Sequence, residues 1–312
     1  MKYPILTACA LLLTGACGGE IEPNEEPVAG THDHFRWGWF GVDHNDITEA
    51  ALNFLSADVA DEVGDYNEDT DGGSTQYKSK YHVDNCRIQE AFDSVRERYK
   101  TVVAALDPMN RQGLDAKKAF GTITHTVQDF FAHSNWVEAF YPSMPLLDHN
   151  AFEFPWVATG TTIGGMMVIT NALPSSFTIN LPSESRVPLV TPAGSTATIK
   201  GLITGTYEDN EESSICPSGA SIEHGDPFFQ GDYETFLSKD DPDSPFHDEA
   251  RSMAEMQTRE EFCRLARLVL LRYGDSGLDS LIDVFEANRA GYEAACPHDR
   301  SVVTAVLASA IW

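Results

Sequence analysis

Residues 123–136, "ITHTVQDFFAHSNW", place His125, Asp129 and His133 four residues apart inside an otherwise apolar run. On a helix each residue turns about 100°, so positions i, i+4 and i+8 drift only about 80° and share one face. Burying a carboxylate between two imidazoles is costly unless a cation compensates. The stretch therefore predicts a helix that presents metal ligands. The alternative is a buried aspartate that accepts hydrogen bonds from two histidines.

The remaining sequence predicts a mainly α fold, a helical bundle with a small β-rich insert. Apolar residues recur at helical spacing from Asp46 in "DITEAALNFLSADVADEV", in "NCRIQEAFDSVRERYKTVVAAL", and from about Asp115 to Phe140. Two more helices are predicted in "FHDEARSMAEMQTREEFCRLARLVLLRYG" and "GLDSLIDVFEANRAGYEAAC". Residues 155–205 are rich in Thr, Val, Ile, Gly and Pro, which favours short strands. The predicted bundle comprises residues 31–154 and 206–312.

The amino-terminal segment has the layout of an export signal. One lysine precedes an apolar run and small residues before Cys17, which predicts a signal peptide over residues 1–16 and a polar tether over 17–30. The letters "TGAC" resemble the lipobox of bacterial lipoproteins, whose cysteine is acylated. The resemblance implies an exported protein that is lipid-anchored at Cys17 in the bacterial cell envelope. Secretion after ordinary signal cleavage is the alternative.

Charge and cysteine content exclude several kinds of partner and site. With 48 acidic and 21 basic residues the net charge is −27, which opposes duplex or long single-stranded nucleic acid as a ligand. A small or zwitterionic phosphodiester is compatible with this charge. Four cysteines remain once Cys9 and Cys17 are set aside with the export signal, and they predict two disulfides in an exported chain, with three possible pairings. None has CxxC spacing, so a cysteine zinc site is not expected.

Other candidate ligands flank the predicted helices. His44 precedes the first helix, Asp69 lies in the loop "YNEDTDGG", and His82 lies in "KYHVDN" before the second helix. His149 and Glu153 are spaced i, i+4, which lets both bind one ion from a single helical turn. Each of these residues is a weak candidate alone. Together with the central stretch they form an ordered series of histidines and acids.

This series resembles the zinc-dependent phospholipase C and single-strand nuclease superfamily. The closer similarity is to the branch of fungal heterokaryon-incompatibility C (Het-C) proteins, whose hallmark "HTxQDFFAHSNWVE" appears here as "HTVQDFFAHSNWVE". The resemblance covers roughly residues 30–140 and 205–270. It implies a helical bundle with a site of two or three zinc ions, and zinc ligands at these positions: His44, Asp69, His82, His125, Asp129, His133, His149 and Glu153.

The chain also departs from the superfamily pattern. The phospholipases use their free amino terminus as a ligand, whereas here a tether precedes "FRWGWFG". His34 or His32 is the alternative ligand, or the third zinc is absent. A later pattern of the Het-C branch is echoed around Cys216 and His247. His247 therefore competes with the pair His149 and Glu153 for the last coordination place.

Imidazole and carboxylate ligands without thiolate favour zinc, or failing that manganese or iron. The resulting hypothesis is a phosphodiester hydrolase of the phospholipase C type that acts on phospholipid or another small phosphodiester. Asp69 would be ligand or general base, and Gln128 or Asn135 would orient a histidine. The alternatives are a non-catalytic surface lipoprotein with a metal-stapled bundle and a single-strand nuclease. The sequence does not determine the oligomeric state.

Overall fold

The computed structural model describes residues 44–137, 204–206, 211–215, 239–240 and 246–296, and the backbone of short strands between residues 146 and 199. The predicted signal peptide, tether and lipidation site lie outside these residues. His149 and Glu153 lie outside them as well.

The chain is mainly helical. Over the described residues it forms eight α-helices and one 3-10 turn. The helices are α1 (His44–Ala51), α2 (Ala57–Glu68), α3 (Ser79–His82), α4 (Ile88–Ala105), α5 (Gly113–His133), α6 (His247–Tyr273), α7 (Asp275–Val284) and α8 (Arg289–Ala295). The 3-10 turn spans Asp69–Asp71 and directly follows α2.

Three of the predicted helices have different boundaries in the structure. The first is two helices, because the chain turns at residues 52–56 between α1 and α2. The central helix was predicted to reach Phe140, but α5 ends at His133, where Ser134 is extended and forms a bridge with Thr204. The last is split into α7 and α8. Asn288 begins α8 as its N-cap, since its side chain accepts from the backbone N–H groups of Ala290 and Gly291.

Short strands follow the first helical segment. Strand β1 (Leu146–Leu147) pairs in parallel with β3 (Met166–Ile169), which pairs antiparallel with β2 (Gly160–Ile163). Strands β4 (Phe177–Asn180) and β5 (Thr196–Ile199) form an antiparallel pair. The register joins Thr161 to Val168 and Thr178 to Thr198. Strands β2 to β5 lie within the range predicted to be β-rich, while a separate insert domain stays a prediction.

Helix α5 is central, because it contacts α1, α2, α3, α4 and α6. Two apolar clusters pack along it. The first includes Phe120 and Ile123 and extends to α7 and α8, and the second includes Phe130, Phe131 and residues of α6. The polar residues between these clusters are also fully buried, among them Thr124, His125, Gln128 and Asp129. Helix α5 thus carries a polar layer between two apolar ones.

A glycine permits α2 to approach α5 closely beside this polar layer. A Cβ atom at Gly121 would lie 2.6 Å from Cβ of Tyr66 and 2.9 Å from the backbone nitrogen of Asn67. Real Cβ atoms do not make contacts this short. The absence of a side chain at Gly121 therefore lets the carboxyl-terminal turn of α2 reach the middle of α5.

Covalent links add to the packing. A disulfide joins Cys263 in α6 to Cys296 after α8, and Cys86 is disulfide-bonded to a cysteine outside the described residues. The first of these selects one of the three pairings that the sequence left open. None of the helices in the described part of the chain has the length and apolar character needed to cross a bilayer.

Candidate metal centre

Five ionisable side chains meet inside the polar layer of α5, and all five are fully buried. His44 is the first residue of α1, Asp71 ends the 3-10 turn, and His82 is the last residue of α3. His125 and Asp129 come from consecutive turns of α5. Two groups of these residues could each hold a metal ion: His44, Asp71 and His125, and His82, His125 and Asp129. We refer to the five residues together as the His/Asp centre.

The separations within the centre match those of ligands on one ion. Nδ1 of His82, Nε2 of His125 and Oδ2 of Asp129 lie 3.0 to 3.1 Å from one another. With metal–ligand bonds of roughly 2.1 Å, such separations correspond to ligand angles of roughly 90° to 95°. Nε2 of His44 lies 3.2 Å from Oδ1 of Asp129. Asp71 is farther out, 3.5 to 3.9 Å from the three imidazoles.

The partner on the outer side of His82 fixes its tautomer. Its Nε2 lies 3.2 Å from the backbone carbonyl oxygen of Thr75. A carbonyl oxygen can only accept, so Nε2 carries the proton and donates. Nδ1 of a neutral His82 therefore presents a lone pair to His125 and Asp129. This is the orientation that a metal ligand requires.

Asn67 fixes the tautomer of His125 in the same way. The hydroxyl of Thr124 donates to the carbonyl of Gly121 at 2.7 Å, so its oxygen accepts from Nδ2 of Asn67 at 3.0 Å. This contact orients the Asn67 amide and leaves Oδ1 as the atom that lies 3.0 Å from Nδ1 of His125. Nδ1 of His125 therefore donates to Asn67. Its Nε2 presents a lone pair to the centre.

The same chain of hydrogen bonds continues to His44. Nδ2 of Asn67 donates to Oε1 of Gln128 at 3.0 Å, which makes Oε1 an acceptor. Nδ1 of His44 lies 2.6 Å from this Oε1 and therefore donates to it. Nε2 of His44 faces Asp129 with a lone pair. The sequence-based expectation that Gln128 orients a histidine agrees with this contact.

The atoms that face one another in the centre are thus all hydrogen-bond acceptors, and a positive charge between them would remove their mutual repulsion. A proton could supply that charge only by converting an imidazole to its charged form. Burial lowers the pKa of His125 to about 3, despite the attraction of Asp129. Burial would raise the pKa of Asp129, but the positive charge of the neighbouring His133 holds it well below its ordinary value. Neutral imidazole beside ionised carboxylate is the state that binds a divalent metal.

The two groups are not two independent sites, because they share a donor atom. Nε2 of His125 faces both Asp71 and Asp129, while Nδ1 of the same ring is engaged by Asn67. One imidazole nitrogen binds one ion. Because both groups need His125, the side chains within the described residues fit one ion at a time, held by one group of three. The predicted total of two or three ions would need ligands from elsewhere in the chain.

His133 was predicted as a third ligand from α5, and the structure places it outside both groups. Its Nδ1 lies 3.1 Å from the carbonyl oxygen of His82 and 3.3 Å from Asp84. Its Nε2 lies 3.3 Å from Asp240. Burial lowers the pKa of His133, but the carboxylates of Asp240 and Asp129 raise it well above its ordinary value. His133 is a charged hydrogen-bond donor that supports the backbone beside His82.

Two more predicted ligands lie outside both groups. Asp69 is exposed at the start of the 3-10 turn. The buried position that was predicted for Asp69 is occupied by Asp71. His247 begins α6, where its Nδ1 donates to the carbonyl of Lys239 at 2.6 Å. Asn67 was not identified from the sequence, because it begins a segment that was predicted to be a polar loop, where a buried amide is not expected.

Comparison with known proteins gives one partial match. A family model described as the VWA7 N-terminal domain matches residues 47–144. That span contains Asp71, His82, His125 and Asp129, and it ends before the predicted His149 and Glu153. No curated protein and no solved structure matches the chain.

Proposed function

We propose that this protein is an exported zinc-dependent phosphodiester hydrolase of the phospholipase C type. The observation that carries the proposal is the His/Asp centre, in which three oriented imidazole lone pairs and two carboxylates converge in a buried space. Nitrogen and oxygen donors without thiolate are the set from which zinc is bound in hydrolases. The resemblance of "HTVQDFFAHSNWVE" to the Het-C branch supports the same chemistry.

The residues of the centre divide into holding and orienting roles. His44, His82, His125 and Asp129 would hold the ion, since their donor atoms lie within 3.2 Å of at least one other donor. A bound zinc ion activates water and polarises a phosphoryl oxygen. Asp71, at 3.5 Å or more from the imidazoles, is the carboxylate best placed to accept a proton from an attacking water. It takes the role that the sequence assigned to Asp69.

The proposed substrate follows from location and charge. A chain anchored by a lipid at Cys17 would lie beside phospholipid headgroups. The net charge of −27 favours a zwitterionic phosphodiester over a polyanion, which weakens the single-strand nuclease alternative. Phosphatidylcholine is therefore the first substrate to test, with release of a phosphorylated headgroup as the expected reaction.

A second candidate function is a non-catalytic one in which the ion only staples the bundle. The observation that favours it is the complete burial of all five side chains of the centre. Four protein ligands complete the shell of a structural zinc ion, and the five side chains of the centre are enough to supply them, whereas catalytic sites keep an open position. In this case the protein is a surface lipoprotein whose binding function resides elsewhere.

Metal content and turnover distinguish the two candidates. We expect about one zinc per chain in purified protein, measured by elemental analysis that also quantifies manganese and iron, and loss of that metal in His125→Ala. The matched control is His247→Ala at the start of α6, whose imidazole contacts the carbonyl of Lys239 and belongs to neither group, so this variant should retain the ion. Release of phosphocholine from phosphatidylcholine vesicles by the parent protein, and not by His125→Ala, supports the hydrolase. Zinc without turnover supports the staple, and a parent protein without bound metal refutes both.

A further inference from the structure

Asn67 is hydrogen-bonded to the imidazole of His125 and to Gln128, which is hydrogen-bonded in turn to His44. It is fully buried near the end of α2, and its side chain contacts four polar groups. Its oxygen accepts from Nδ1 of His125, and its nitrogen lies within 3.1 Å of Gln128, Thr124 and Thr48. Asn67 and Gln128 are hydrogen-bonded to each other, and each is hydrogen-bonded to one of the ligand imidazoles.

We propose that Asn67 is the positioning residue of the His/Asp centre. It sets the tautomer of His125 directly and the tautomer of His44 through Gln128. The inference rests on the proposed metal binding, but it concerns the protein without its ion as well. An amide can set both tautomers because its oxygen only accepts and its nitrogen only donates hydrogen bonds.

Gln128 depends on Asn67 because its other contacts do not fix its orientation. Nε2 of Gln128 lies 3.0 Å from the hydroxyls of Thr48 and Thr258. A hydroxyl can rotate to donate or to accept, so it tolerates either end of the amide. Without Asn67, Gln128 can turn its Nε2 toward Nδ1 of His44. His44 would then carry its proton on Nε2, which faces the centre and could no longer bind a metal.

Two substitutions separate the direct from the relayed effect. Asn67→Ala removes both contacts and should free both imidazoles to exchange tautomers. Asn67→Asp keeps an acceptor for His125 and removes the donor to Gln128, so only His44 should be affected. Long-range proton–nitrogen spectra of metal-free protein with labelled histidine report which ring nitrogen carries the proton. Zinc affinity, measured by competition with a chelator, should fall roughly 10- to 100-fold in Asn67→Ala, as for other groups that orient metal-binding histidines.

A rescue variant tests the relay. In Asn67→Ala/Gln128→Glu both side-chain oxygens at position 128 accept, so His44 must donate from Nδ1 whichever way the group turns. We expect this double variant to restore the His44 tautomer and to recover part of the zinc affinity. Val102→Ala is the stability control, because it truncates a fully buried side chain of the first apolar cluster, which lacks the ligands. It should lower stability and leave zinc affinity unchanged.

The outcomes separate this inference from the proposed function. If the parent protein binds no zinc, the proposed function fails, while the metal-free spectra still test the tautomers. Unchanged tautomers in Asn67→Ala overturn the positioning role whether or not zinc binds. An affinity loss in Val102→Ala equal to that in Asn67→Ala also overturns it, since a merely structural contribution would then explain the result.

Discussion

Substitution of Gly121 by alanine should weaken the metal centre although position 121 touches no ligand. The new Cβ atom would lie 2.6 Å from Cβ of Tyr66, whereas ordinary contact begins near 3.4 Å, so α2 must move by about 0.8 Å. The amide oxygen of Asn67 lies 3.0 Å from His125, and a displacement of this size takes it beyond hydrogen-bonding range. We therefore expect a loss of both packing energy and metal affinity.

The energy of the Gly121 substitution has two opposing parts. Overpacking a well-filled interior costs about 1 to 3 kcal/mol. Replacing glycine by alanine inside a helix contributes about 1 kcal/mol in the other direction. The clash involves backbone atoms of Tyr66 and Asn67, which cannot rotate away, so the cost should exceed the gain. The net effect should be destabilisation by about 1 kcal/mol, with zinc affinity reduced roughly 10-fold.

The assay compares two substitutions of the same kind on the same helix. At Gly113 a Cβ atom would meet only Val284, at 3.5 Å, so Gly113→Ala introduces no clash. Urea unfolding with and without chelator gives the stability of each variant, and chelator competition gives its zinc affinity. Gly121→Ala that is as stable as Gly113→Ala and binds zinc equally well would refute the reasoning about close approach of α2 and α5.

Three other predictions concern the ion, the acid range and a helix cap. Removing zinc with a chelator should lower the melting temperature, and equimolar zinc should restore it; at a zinc concentration of 100 times Kd the ion contributes about 2.7 kcal/mol. In metal-free protein the lowered pKa of His125 means that the unfolded state binds more protons, so the free energy of unfolding should fall as pH drops from 6.5 toward 3.8, measured by urea titration. A flat profile there would contradict a buried neutral imidazole. Asn288→Ala should cost about 1 kcal/mol by loss of the α8 cap while Asn288→Asp should not, as checked by thermal unfolding.

The sequence predicted the helices and much of the centre because both depend on local spacing. His125 and Asp129 are one turn apart on α5, so periodicity alone places them on a common face. His133 lies on the same face of the helix, but a common face fixes only the angle round the axis and not the distance along it. Eight residues rise about 12 Å, which is too far from His125 for one ion. His133 instead supports the backbone carbonyl of His82.

The carboxylate from the acidic loop shows where local spacing fails. The predicted loop around "YNEDTDGG" is largely helical, because α2 continues to Glu68 and passes into a 3-10 turn. That turn directs Asp69 to solvent and Asp71 inward. Asn67 is buried because it lies on the face of α2 that packs into the interior. Which acid of such a segment is buried depends on the packing of α2 against Gly121, a contact between residues far apart in the sequence.

The geometry of the centre also bears on whether an ion there is a staple or a reagent. Its side chains come from α1, the 3-10 turn, α3 and α5, so a bound ion would link four elements of the fold. Stabilisation therefore follows from binding in either case. The ligands are not equivalent, however, because His82, His125 and Asp129 lie within 3.1 Å of one another and Asp71 at 3.5 Å or more from each imidazole. Because Asp71 is the more distant carboxylate, a water molecule could take its place on an ion held by the other three residues. This asymmetry favours the hydrolase over the staple.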